Sequence, residues 1–277
     1  MNTAKITLKS LTIILTASLI SVNSLSALAS TTLAQALAGE QRSTAHKARD
    51  QYRHPQQTLE FFGFNNNMTV VEITPGGGWY MEVLAPALKD SGKYIAAQYP
   101  DTGKDDYYSN SRKKLLKKIA SNKVYSVVKI SDFVPKKQSE LAPQGSADLV
   151  LTFRNLHNWG EVGIAQVFRD AFRALKSNGV LGVVEHRMPV SQNWQKNHRN
   201  GYVPKTLVVQ LAKEAGFTLV ASSEMNANPK DTADHPKGVW TLPPVLRLKE
   251  TDKAKYLAIG ESDRMTLKFA KLVKNKF

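Results

Sequence analysis

Between residues 70 and 222 the apolar positions switch repeatedly between two periods. Short apolar runs at 70–73, 94–98, 124–130, 147–153, 180–185 and 217–222 predict strands. The run from Ala147 to Phe153 is almost continuously apolar, as expected of a strand covered on both faces. Between these runs the spacing is helical. Met81, Val83, Leu84 and Leu88 share one face, as do Leu115, Leu116 and Ile119. Ile164, Val167, Phe168, Phe172 and Leu175 mark a longer helix over 162–176, and residues 207–215 a further one. Ser177-Asn178-Gly179 closes the longer helix, with Gly179 expected in the left-handed cap. Strands alternating with helices imply right-handed crossovers. The predicted class is α/β, a doubly wound, mostly parallel, Rossmann-like sheet with flanking helices.

Both ends depart from this rhythm. Leu33, Ala36 and Leu37 have helical spacing but little apolar weight, so residues 30–50 read as a loosely docked leader helix. Tyr52-Arg53-His54-Pro55 follows; Pro55 opens a helix whose core face is Leu59, Phe61 and Phe62, with Gly63 at its end. The main domain spans 51–277, with an extension from about 225. There, residues 226–238 are rich in Asn, Asp and Pro, and 264–272 predict a last strand.

The first 29 residues carry an address rather than structure. Lys5 and Lys9 precede the apolar run 11–22, and Ala27-Leu28-Ala29 offers small residues where a signal peptidase reads. This predicts a signal peptide over 1–29 and export, to a compartment such as the bacterial periplasm. The competing reading is an uncleaved anchor, for which the run is short and rich in Ser and Thr.

The 277 residues, 42% of them hydrophobic, suffice for a large buried core. There is no cysteine, which excludes disulfides, thiolate metal sites and cysteine nucleophiles. The formal charge of +15 falls to +13 without residues 1–29, which hold Lys5 and Lys9 and no acid. Such a surface predicts weak association with anionic membranes or polymers. Basic residues cluster in 112–123 and 264–276 without interleaved aromatics, so no specific nucleic-acid partner is expected.

The chemistry concentrates at one corner. Val70-Val71-Glu72-Ile73-Thr74-Pro75-Gly76-Gly77-Gly78-Trp79-Tyr80 reads as a strand, a glycine-rich turn and a helix start. Glycine permits positive φ and lets a ligand approach the backbone. The free N–H groups of the following helix favour an electron-rich ligand. The turn lacks the spacing and the Lys-Ser/Thr ending of a P-loop.

This corner resembles the first motif of class I S-adenosylmethionine-dependent methyltransferases, an acid followed by alternating glycines. Thr74 stands where the first glycine would be. The resemblance extends to Asp148-Leu149-Val150-Leu151 with the following Phe153-Arg154-Asn155-Leu156-His157-Asn158-Trp159. It also covers Ala174-Leu175-Lys176-Ser177-Asn178-Gly179-Val180-Leu181. With Tyr52-Arg53-His54-Pro55, Val183-Val184-Glu185-His186-Arg187 and Asn226-Ala227-Asn228-Pro229-Lys230-Asp231, the chain resembles an exported group called predicted methyltransferases.

The resemblance implies S-adenosylmethionine as cofactor and a small-molecule acceptor. It implies that Glu72, Thr74, Gly76, Gly77 and Gly78 border the methionine part and that Asp132 meets the adenine amino group. Arg154 and Asn155 would lie beneath the sulfonium. The family's ribose-gripping acid falls on Gln98, where a charge-assisted hydrogen bond is lost; Asp101 is the nearest carboxylate to replace it.

His157 and His186 follow successive strand ends, and Glu185 can orient either, so these three are the catalytic candidates. The histidines at 54, 157, 186 and 235 lack metal-binding spacing, so no metal is predicted. No Gly-x-Ser-x-Gly elbow occurs. The alternative function is an exported, non-catalytic binding protein that uses the same crevice for another ligand.

Overall fold

The computed structural model describes residues 33–272; the signal-peptide expectation lies outside them. Strand and helix alternate as the hydrophobic periods require. Helix α1 (Pro55–Phe62) precedes β1 (Thr69–Ile73), followed by α2 (Met81–Leu88) and β2 (Lys93–Gln98). Then come α3 (Tyr107–Ala120), β3 (Val128–Asp132), β4 (Ala147–Phe153), α4 (Gly160–Ala174) and β5 (Leu175–Met188). The chain ends with β6 (Val203–Pro204), α5 (Lys205–Glu214), β7 (Thr218–Ser223), α6 (Lys253–Ile259) and β8 (Arg264–Ala270).

Seven strands form one sheet in the order β3-β2-β1-β4-β5-β8-β7, and the two-residue β6 pairs with the end of β5. Strands β1 to β5 run parallel. β8 enters antiparallel between β5 and β7, setting Leu181 opposite Phe269 and Glu185 opposite Met265. The direction of winding reverses between β1 and β4, the position at which open α/β sheets hold ligands.

Alternate strand residues feed two cores. Val71, Ile73, Val150 and Val183 meet α4 and α5 through Ile164, Val167, Phe168 and Val208 on one face. Val70, Ala96, Leu149 and Leu151 meet α1, α2 and α3 through Leu59, Phe62, Leu84 and Leu115 on the other. Each fully buried Leu or Phe contributes about 1.5–3 kcal/mol. Two buried layers explain why β4 is apolar throughout.

Several expectations need correction. The leader is a helical turn at 33–38 followed by single turns at Thr44–Lys47 and Asp50–Arg53. It is firmly docked. Leu33 and Ala36 join the second core, and buried Arg42 forms a two-point ion pair with Asp50 at 2.6 and 2.7 Å. The third strand starts at Val128 because Lys123–Tyr125 forms a 3-10 turn. Helix α4 ends at Ala174, and Asn178 rather than Gly179 takes the left-handed conformation, with φ 63°. Asn tolerates that region. Gly179 is needed for a different reason: a Cβ there would lie 2.9 Å from the Leu175 side chain and the Lys176 carbonyl.

The polar segment 226–238 is laced into place. Asn226 donates to Thr58 (3.0 Å) and Thr266 (2.9 Å), and Asn228 donates to the carbonyls of Ile259 and Glu261. Buried Asp231 accepts from Tyr202 Oη and the Asp263 N–H. These bonds bring residues 259–264 to the rim of the sheet beside the leader.

Candidate functional site

The corner after β1 is built from strained backbone. Thr74 has φ 48°, Gly76 58° and Gly78 73°. Thr74 therefore adopts the left-handed conformation that glycine would take without penalty, and its buried hydroxyl has no hydrogen-bond partner. A Cβ on Gly76 or Gly77 would meet nothing within 4 Å. That side of the turn is open. Gly78 is packed instead, with Met81 Cε 3.0 Å from where its Cβ would sit. Lys118 closes the outer side by donating to the Gly77 carbonyl at 3.0 Å.

The strand-end residues are distributed around this opening. Glu72 is buried and accepts from Tyr94 Oη at 2.5 Å. Burial raises its carboxyl to about 7 despite that bond and the charge of Arg154. Gln98 is fully buried; its oxygen accepts from the Tyr99 N–H at 2.9 Å and its amide donates to Ser111 at 3.3 Å. Its side chain is thus engaged at the base of the next loop. Asp101 accepts from the Gly103 N–H at 3.0 Å, and exposed Asp132 pairs with Arg112 at 2.7 Å. Asn155 donates from the end of β4 to the carbonyl of Ile73 at 3.1 Å. Arg154 is half-buried, with φ 60°.

Beyond β2 and β3 lies a hollow of about 370 Å³. Tyr99, Tyr108, Pro135, Asn158 and Trp159 line it. Trp159 Nε1 donates to Tyr99 Oη at 3.1 Å, which fixes both rings. Flat aromatic walls suit a heterocycle, and the open glycine corner is bare enough for a ligand to pass. Trp79 and Tyr80, which follow the glycines in sequence, are buried and do not line this hollow: Trp79 packs beneath the guanidinium of Arg53 and Tyr80 stacks on Phe153. The roles of Tyr99 and Tyr108 were not singled out from sequence. The signal for Tyr99 is its place directly after the second strand; Tyr108, in the first turn of α3, has none.

The three catalytic candidates converge. His157 Nδ1 lies 3.0 Å from Glu185 Oε1. That carboxylate also accepts from the backbone N–H groups of Leu156 at 2.6 Å and His186 at 2.8 Å. Fully buried, it is fixed in place by bonds to both oxygens. His186 stands 5.3 Å from His157, ring to ring, and its Nδ1 contacts Ser262 Oγ at 2.5 Å. Burial, then the electrostatic influence of neighbouring His157 and Arg154, push His186 well below the usual histidine range. Nitrogen and oxygen atoms of the three lie within 4.8 Å of one another, close enough for a metal ion. The chemistry is unfavourable. Glu185 already accepts from two backbone N–H groups, and Arg154, Arg53 and Arg264 all oppose added positive charge beside His186.

These arginines form a cluster that no local motif announced. Arg49, Arg53 and Arg264 all reach Glu261, at 2.6, 3.3 and 3.1 Å. Burial and the arginines oppose each other there. Burial by itself raises the Glu261 carboxyl, but the guanidinium groups outweigh it and hold the group at about 2. Burial lowers Arg264 to about 10. These three arginines and Arg154 come from distant parts of the chain and meet only through the fold.

No family model matches the chain, and no curated protein matches its sequence. Solved structures do match. A SAM-dependent methyltransferase from Aquifex aeolicus aligns at TM-score 0.55 and 14% identity, over 81% of this chain and 93% of that one. The 4+2 cyclase SpnF aligns at 0.57 and 13%, over 89% and 94%. A SAM-dependent methyltransferase from Methanosarcina mazei aligns at 0.51 and 12%, over 78% and 97%. The chain has the class I methyltransferase fold. A neighbour named as a cyclase shows that this fold serves other chemistry too, so the reaction has to be argued from the site.

Proposed function

We propose that the chain is an S-adenosylmethionine-dependent methyltransferase acting on a small-molecule acceptor. The observation that carries this reading is the pair formed by His157, in the turn after β4, and Glu185, near the end of the adjacent β5, on strands that neighbour the open glycine corner of β1. The residues present fit the cofactor. Gly76 and Gly77 leave the backbone bare, and the hollow between Tyr99, Tyr108 and Trp159 suits its adenine. When bound, S-adenosylmethionine supplies a methyl group on a positively charged sulfur that leaves as a neutral thioether.

The chain's own residues then have three tasks. Asn155 ties the end of β4 to that of β1, fixing the acceptor side against the cofactor side. Glu185 accepts the Nδ1–H of His157, which leaves Nε2 as the unprotonated nitrogen. His157 Nε2 takes the proton from the acceptor hydroxyl or amine, and Glu185 stabilises the resulting imidazolium. His186, held neutral by its surroundings, packs beside this pair without competing for the proton.

One observation favours the second reading, a non-catalytic binding protein with the same crevice. Gln98 stands in place of the ribose carboxylate, and its amide is engaged by Tyr99 and Ser111. An exported chain would also need a supply of cofactor outside the cytoplasm. Calorimetry with S-adenosylmethionine and S-adenosylhomocysteine separates the two. Heat from both supports the enzyme; silence from both selects the binding protein. Binding in the crevice survives added salt, whereas weak association of the basic surface with anionic polymers is screened.

A further inference from the structure

Arg154 is out of balance with its surroundings. It stands at the end of β4 with its N–H bonded to the Val184 carbonyl at 2.7 Å. Among the described residues its guanidinium makes no hydrogen bond and no ion pair. A half-buried guanidinium with no bonded counter-charge keeps its donors free for an incoming anion. The neighbouring acids are all committed. Glu261 is shared by Arg49, Arg53 and Arg264, Glu185 by His157 and two backbone N–H groups, and Glu72 by Tyr94. Four guanidinium groups thus surround Glu261, with Arg154 left over.

We propose that Arg154 receives an anionic group, a carboxylate or phosphate, on the methyl acceptor; this rests on the methyltransferase reading above. Its planar fork matches either group with two parallel hydrogen bonds. Position favours the acceptor over the cofactor. The aromatic hollow lies at the β2–β3 side of the switch point, whereas Arg154 lies on the β4 side, three residues before His157. A guanidinium near a sulfonium is repulsive, and an anion on the acceptor offsets both charges. The stacked pair Tyr80 and Phe153, with ring centroids 3.6 Å apart, backs the same strand end.

The test titrates 4-hydroxybenzoate, its uncharged amide and inorganic phosphate into the full chain by calorimetry, with and without saturating S-adenosylhomocysteine. Wild type, Arg154→Met and Arg154→Lys are compared, with circular dichroism to confirm folding. The acid is expected to bind at least tenfold more tightly than the amide in the wild type. That preference falls below threefold in Arg154→Met and partly returns in Arg154→Lys, while affinity for S-adenosylhomocysteine changes less than twofold. Equal affinity for acid and amide in the wild type, with no phosphate binding, overturns the proposal. So does a loss of S-adenosylhomocysteine affinity in Arg154→Met with the acid preference intact, because the guanidinium then serves the cofactor's own carboxylate. If S-adenosylhomocysteine is silent but the Arg154-dependent preference for the acid persists, the anion site stands and the methyltransferase reading fails.

Discussion

Asn155 Nδ2 lies 3.1 Å from the carbonyl oxygen of Ile73 and 3.4 Å from that of Thr74. A side chain from the end of β4 thereby holds the strained residue that begins the glycine corner of β1. The two strands flank the point at which the sheet reverses its winding, so this contact sets the geometry of the crevice. It also explains how a β-branched residue persists at φ 48°.

Thr74→Gly is expected to stabilise the protein. The substitution relieves about 1–2 kcal/mol of left-handed strain and removes an unbonded buried hydroxyl, against about 1 kcal/mol of added chain entropy. Urea unfolding should show a net gain of about 1 kcal/mol. A loss of stability would mean that the threonine side chain has a favourable contact at this site.

Gly76→Val should abolish binding of S-adenosylhomocysteine while the chain stays folded. A Cβ at Gly76 meets no protein atom, so the branched side chain occupies the ligand's space at a backbone cost of about 1–2 kcal/mol. Calorimetry checks the binding and circular dichroism the fold. Unchanged affinity would move the crevice elsewhere.

His157→Ala should reduce methyl transfer by about 10²–10⁴-fold, the range for a general base, with cofactor affinity altered less than about twofold. Glu185→Gln should also lower turnover strongly, because the amide no longer stabilises a charged His157. Single-turnover rates and calorimetry on the same preparations make the comparison. Parallel losses of rate and affinity would assign His157 to binding.

Glu72 makes stability fall as pH rises. Its carboxyl is raised from an ordinary 4.5 to about 7, so the folded state holds the proton more tightly than the unfolded chain. Its contribution is full below about 4.5 and is lost as pH approaches 7, a change of about 3 kcal/mol. Relative to wild type, Glu72→Gln should gain up to about that amount between pH 4.5 and 8. Unfolding curves that stay parallel across this range would refute the shift.

Glu261 acts with the opposite sign. Its carboxyl is depressed from 4.5 to about 2, so its contribution is present above 4.5 and lost as pH falls towards 2. Glu261→Gln should cost about 3–5 kcal/mol at pH 7, because Arg49, Arg53 and Arg264 lose their shared counter-charge. The gap between variant and wild type should narrow below pH 4. Urea titrations at pH 3 and 7 give both values.

The sequence by itself determined the sheet and its glycine corner. Strand β4 was legible to the residue because two buried faces demand an unbroken apolar run, and α1 because Pro55 and Gly63 mark its limits. The nearness of His157 to Glu185 and His186 was legible from the adjacency of the fourth and fifth strands, but His186 does not follow a strand end: β5 continues to Met188, and both Glu185 and His186 lie within it. Other features depend on packing between distant segments. Nothing near Arg264 in the chain indicates that it shares Glu261 with Arg49 and Arg53, since that meeting requires the leader and β8 to lie side by side. Gln98 offered a polar side chain after β2, and only the neighbouring Ser111 and Tyr99 N–H settled where it points. Local periodicity fixes which element forms, because it reflects burial along one strand or helix. Which charges face one another, and which is left unpaired, is decided by contacts across the whole chain.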